Sequence, residues 1–132
     1  MESFLAPWRP QLLSILRIMA GLMLTAHGMA KLLGWPIHPP MNNVVSGSPS
    51  WYAAFFELIL GPLLALGLFT RPVAFILSGL CAVAYFYAHA PRSFFPMVNA
   101  GEHAVLWAFA LLYIASAGPG AWSLDGILGK KK

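Results

Sequence analysis

The chain has 132 residues, of which 59% are hydrophobic and only 9% are charged. A soluble domain normally carries about 25% charged residues, so the chain lacks the charge to coat a core in water, and lipid is the solvent in which its apolar surface can stay exposed. The net charge of +4 includes a Lys130-Lys131-Lys132 tail that is too short for a nucleic-acid patch, and the single cysteine, Cys81, leaves no internal disulfide, CxxC redox pair or cysteine-based zinc site.

Crossing a bilayer as a helix takes about 20 apolar residues, with a range of roughly 17–25. A first such stretch runs from about Gln11 to Leu33. Its rival is a cleaved signal peptide, with small residues at Ala26-His27-Gly28, but Arg17 interrupts the apolar run and the run is long for an h-region. From Gly34 to Pro49 the chain carries Pro36, Pro39, Pro40, Asn42, Asn43 and Gly47, which cannot continue a helix. A second stretch spans about Trp51 to Phe69, with Pro62 after Gly61 placed to kink it below Glu57. Thr70-Arg71-Pro72 is a tight connection into a third stretch, about Pro72 to His89, with the proline suited to a first helical turn. Pro91 to Pro96 closes it. The fourth stretch, about Asn99 to Ser116, ends at Gly118-Pro119-Gly120 and leaves a short tail over 117–132.

Inside lipid every backbone donor and acceptor needs a partner, which a single segment can supply only as a helix. The alternating segments of about 10 residues that a β-barrel needs are not present. The predicted fold class is all-α: an integral membrane four-helix bundle, one domain over residues 1–132. Four crossings put Arg9, Arg71 and the lysine tail on one side, and Lys31 and Arg92 on the other. The positive-inside rule then places both termini in the cytoplasm. Trp8, Trp35, Trp51 and Trp122 lie near predicted helix ends, as in an aromatic belt.

Ionisable groups inside the predicted helices carry the functional signal, because a charge in hydrocarbon costs at least about 2.5–3.5 kcal/mol and usually faces a partner or a cavity. At about 1.5 Å per residue, His27, Lys31, Glu57, His89, Glu102 and His103 all fall in the outer half, although they come from different parts of the chain. Arg17 falls in the inner half. By backbone depth, Glu57 is the expected partner of His27, and Glu102 that of Lys31. Each residue also has a blander expectation. Asn99-Ala-Gly-Glu102 has the spacing of a capping box, Lys31, His89 and Arg17 can snorkel to an interface, and a Glu57–His27 pair can simply glue helices together. Cys81, in mid-helix, fits the role of a small apolar residue, and Tyr85 and Tyr87 are packing residues or hydrogen-bonding groups for a ligand. Three histidines and two carboxylates are ordinary metal ligands, but neither His27/Lys31 nor Glu102-His103 has a metal-site spacing. No metal is expected. A proton-coupled quinone site is chemically easier: it needs an apolar slot, aromatic walls, and a His or carboxylate to exchange protons.

Several pieces are similar to the DoxX family of small four-helix membrane proteins. They are Arg17 with Gly21, His27-Gly-Met-Ala-Lys31-Leu, Glu57-Leu-Ile-Leu-Gly61, Leu66-Gly67-Leu-Phe-Thr-Arg71-Pro72, Asn99-Ala-Gly-Glu102-His103-Ala and Gly118-Pro-Gly-Ala-Trp-Ser123-Leu-Asp125. Their order and spacing, over about Ile15 to Leu128, carry the resemblance. It implies a multi-pass plasma (inner) membrane protein often grouped with oxidoreductases. A related branch, DoxD, is a subunit of a thiosulfate:quinone oxidoreductase. The absence of paired cysteines here argues against direct dithiol chemistry.

The expected function is that of a membrane-embedded oxidoreductase component, linked to a quinone or a sulfur compound, with a polar pocket in the outer half of the bilayer. Glu57 and His27 are the expected catalytic proton carriers. Lys31, Glu102, His103, Arg17 and His89 are the expected substrate-binding groups, and a quinone is the candidate cofactor. The expected partners are the bilayer, a soluble redox protein or a second copy of the chain. The alternatives are a non-enzymatic membrane anchor or assembly subunit for a soluble oxidoreductase and, third, a small transporter.

Overall fold

The structure is a computed structural model describing residues 4–129, so the lysine tail used for orientation lies outside the described residues. All regular structure among the described residues is helical. The four main helices are α1 (Arg9–Leu33), α2 (Pro49–Leu66), α3 (Thr70–Ala84, continued by a π-helical turn at Tyr85–His89) and α4 (Glu102–Ala117). Short helices at Pro39–Asn42, Pro96–Asn99 and Leu124–Gly129 punctuate the connections.

These bounds shift the predicted ones for local reasons. Helix α2 starts two residues early because Ser48 caps it through Trp51 N, with Pro49 in the first turn. It stops at Leu66 because Gly67 adopts φ +71, the left-handed conformation that ends helices. Helix α4 starts three residues late. Asn99 closes the preceding short helix instead of capping α4, and Gly101 stands at the cap. The expected Asn99–Glu102 capping box is therefore absent: the Asn99 Oδ1 accepts from Gly101 N at 2.8 Å, and its amide donates to Tyr85 Oη and Ser93 O. The tail contains the short helix Leu124–Gly129.

Three helical segments, Ala6–Leu33, Pro49–Leu66 and Thr70–His89, are long and apolar enough to cross a membrane, while Glu102–Ala117 is a shorter apolar helix. The helices alternate in direction. Gly21 of α1 lies against Gly61 and Ala65 of α2, and Gly28 against Ala54 and Leu58. Likewise Arg71 of α3 meets Ala115 and Ser116 of α4, and Ser78 meets Ala108. A Cβ on Gly21 would lie 2.5 Å from the Ala65 nitrogen, and one on Gly28 2.6 Å from that of Leu58. The two backbones therefore touch, as small residues allow between helices in lipid. Leu24, Leu64, Leu77, Leu111 and Ile114 form the centre of the buried core. Large apolar side chains such as Met19, Leu22, Phe75, Val83 and Phe109 face outward, consistent with lipid as the surrounding medium.

Candidate functional site

At the end of the bundle holding the described termini, Arg17 is wholly buried. Its Nη1 donates to Leu64 O at 2.6 Å and to Ala65 O at 2.5 Å, its Nε donates to Pro119 O at 2.9 Å, and its Nη2 donates to Trp122 O. Leu64 and Ala65 belong to the last turn of α2, where carbonyls run short of backbone donors, although Leu64 O also accepts from Gly67 N at 3.0 Å, and where a cation suits the helix dipole. Gly67 completes the closure, since a Cβ there would come within 2.9 Å of the Arg17 guanidinium carbon. Asp125 accepts from Phe69 N and Thr70 N, both at 2.8 Å, and so caps the start of α3 from 55 residues away. Burial works to raise the Asp125 pKa, but the bonds from Thr70 and Phe69 and the Arg17 charge outweigh it and hold the carboxylate below its usual range. The structure thus sets Arg17 apart from the other predicted site residues, among backbone carbonyls.

At the opposite end, Lys31 Nζ donates to both carboxylate oxygens of Glu57, at 2.8 and 2.9 Å. This corrects both expected pairings: Lys31 meets Glu57, not Glu102, and Glu57 is not bonded to His27. Side-chain direction explains it. Helical side chains lean toward the N-terminus of their own helix. Lys31 near the end of α1 therefore leans deeper into the bundle, and Glu57 on antiparallel α2 leans outward to meet it. The same rule turns Glu102, at the first position of α4, away from the interior, and it is exposed.

The Lys31–Glu57 pair borders a cavity of about 820 Å³ between the α1/α2 and α3/α4 pairs, and His27, His89 and His103 line it as well. Five of the seven predicted site residues therefore converge, while Glu102 and Arg17 are not among the lining residues. Their neighbours are Trp107, Tyr52, Tyr87 and Phe56, with Cys81 on the wall. The His27 ring stands 5.4 Å from that of Trp107. His89 is fixed by Tyr85, with rings stacked at 6.4 Å, and by a 3.0 Å contact from Nδ1 to Asn99 O. His89 closes the π-helical turn, a local widening of the helix that recurs at functional sites. Among the described residues no three of His, Cys, Asp and Glu converge as a metal site requires.

Part of the wall comes from a segment that composition marked only as a breaker-rich connection. Pro40, Met41 and Val44 of that segment line the cavity, beside Pro49 at the start of α2. That segment is held by Asn42, whose amide donates to Ala30 O at 2.9 Å and to Pro36 O at 3.2 Å. The density of Pro and Asn was its only sequence signal. Tyr52, Phe56 and Trp107 were also missed as wall residues, because an aromatic in an apolar run looks the same whether it faces lipid or a pocket.

The family model described as DoxX matches residues 12–90. An uncharacterized protein from Haemophilus influenzae is 42% identical over 131 residues, covering 96% of this chain and 98% of that relative. No solved structure matches the chain.

Proposed function

The chain belongs to the DoxX family of membrane proteins, and from that premise we propose that it is a quinone-binding component of a plasma-membrane oxidoreductase, crossing the bilayer four times with both termini in the cytoplasm. The cavity carries this reading. It joins aromatic and apolar walls to a Lys31–Glu57 pair and His27, as a ligand site with a few convergent polar groups does. Its rim includes Met23, Phe56 and Val83, exposed residues well inside the apolar helices, so a ligand dissolved in lipid has a sideways entrance. Reducing a quinone consumes two electrons and two protons. In this reading Glu57 and His27 each take up a proton from water and pass it to the quinone, Lys31 balances the charge Glu57 carries between transfers, and His103 and His89 offer hydrogen bonds from the outer wall. The electrons come from a reduced sulfur compound or a soluble redox partner.

The test is binding of a short-chain quinone to the purified protein in mild detergent, followed by tryptophan quenching, for wild type, Glu57→Gln, His27→Ala and the double variant Lys31→Met/Glu57→Gln. A loss of affinity of about tenfold or more in the folded variants, the size expected when a buried polar partner is removed, supports the site. Wild type that binds no quinone, or His27→Ala and the double variant both binding as wild type does, would sink it.

One observation favours the anchor reading as the second choice. The Lys31–Glu57 pair closes on itself across α1 and α2, which is what interhelical glue would do. Under that reading the same variants lose thermal stability but not quinone affinity, and a soluble oxidoreductase co-purifies with the wild-type chain.

A further inference from the structure

Arg71 follows the first residue of α3 and is exposed. Its Nη1 donates to Ala115 O at 3.1 Å and to Ser116 O, which satisfies the end of α4 much as Arg17 satisfies the end of α2. No bond occupies its Nε and Nη2 edge among the described residues, and no carboxylate there pairs with it. Nη2 lies over Gly118, where a Cβ would come within 3.1 Å of it. Next to the Ala115 and Ser116 carbonyls that hold this guanidinium, a groove of about 510 Å³ runs between α3 and α4, lined by Phe75, Phe109, Leu112, Tyr113, Ala115 and Ser116. Phe75 is one helical turn from Arg71, and Ala115 and Ser116 supply both the groove wall and the carbonyls that hold the arginine. A cation held by two of the groove's own residues therefore stands at the end of a membrane-length helix, one turn from the groove's Phe75.

We propose that this groove is a specific site for a phospholipid with a net anionic headgroup, with phosphate on the free Nε/Nη2 edge of Arg71 and an acyl chain along Phe75, Phe109 and Leu112. Two parallel N–H donors match phosphate oxygens as a fork. Basic pockets between transmembrane helices on the cytoplasmic side are where acidic lipid headgroups bind. Phe75, Phe109 and Tyr113 are each more than half exposed, so the groove is open to the bilayer. The site lies on the α3/α4 side of the bundle at the end opposite the Lys31–Glu57 cavity and shares no lining residue with it, so it stands or falls independently of the quinone reading.

The test is native mass spectrometry of the full chain after equilibration with equal amounts of phosphatidylglycerol and phosphatidylcholine of the same acyl composition. Wild type is expected to retain one phosphatidylglycerol with at least a fivefold preference. Arg71→Gln is expected to lose the preference and Phe109→Ala the retention, while Arg9→Gln, the same charge change elsewhere, leaves both unchanged. Phe109 points outward, so its variant tests the groove even if Arg71→Gln fails to fold. Wild type without a preference, or a preference that survives both groove variants, would mean general annular lipid and would overturn the site. So would a dimer that forms in place of lipid binding and is abolished by Phe109→Ala, since a second copy would then own the groove.

Discussion

Lys31 and Glu57 hold each other inside a bundle where neither has an easy route to water: their side chains are 15% and 9% exposed. Removing one partner leaves a buried charge alone, which costs about 3–5 kcal/mol, whereas replacing both with neutral groups of similar volume is often close to neutral. Lys31→Met alone should therefore lower the unfolding temperature in detergent more than Lys31→Met/Glu57→Gln does. Simple addition of the two single losses would contradict the pairing. Arg17 is a second case. Lysine has the charge but not the planar fork, so Arg17→Lys cannot serve four carbonyls contributed by α2 and by the 119–122 loop. It should lose about 1.5–3 kcal/mol for each charged hydrogen bond that lysine cannot remake, read in the same melts. The identity of these buried charges was legible in the sequence, because ionisable residues stand out in apolar runs. Their partners were not. Backbone depth paired Lys31 with Glu102, and only the opposite lean of side chains on antiparallel helices brings Lys31 to Glu57.

At the scale of elements, the contact between α1 and α2 depends on three glycines, Gly21, Gly28 and Gly61, and Gly79 serves as the control. Gly28→Ala would press a Cβ to within 2.6 Å of the Leu58 nitrogen. Overpacking of this kind costs about 1–3 kcal/mol, and here the crowded atoms are backbone. Gly79→Ala meets nothing within 4 Å and should be neutral or stabilise the helix by up to about 1 kcal/mol. Melts in which both variants behave alike would remove the close-contact account. The start of α3 makes a pH prediction through Asp125. Its folded-state pKa lies below its ordinary value of 3.8, so its capping stabilises the fold above that value and is lost as pH falls through the lower, folded one. Asp125→Asn should therefore flatten the acid limb of stability below about pH 4 and leave the shape above pH 5 unchanged. The effect is small, because the group is close to solvent. Four apolar stretches were readable from hydropathy, whereas the helix bounds moved by two or three residues wherever a cap decided them, as at Ser48, Gly67 and Gly101.

At the scale of the whole molecule, α4 decides the topology. Its 16 residues reach about 24 Å at 1.5 Å per residue, short of a hydrocarbon core of about 30 Å. A helix this short can still span if the bilayer thins around it. The chain ends fit the proposed fourth crossing. Ala121 N donates to Pro10 O at 3.1 Å, and Trp122 N to Ser14 Oγ at 3.0 Å, so the segment after α4 sits against the first turns of α1. If α1 crosses away from that level, α4 must bring the chain back to it. In a Cys81→Ala background, Ser46→Cys on the 34–48 connection should react with a membrane-impermeant maleimide in intact cells, and Gly129→Cys only after the membrane is opened. Labelling of both from outside would mean that α4 fails to cross. Labelling of Gly129→Cys alone would invert the bundle, put the cavity in the inner half, and move Arg71 with its lipid groove to the outer leaflet.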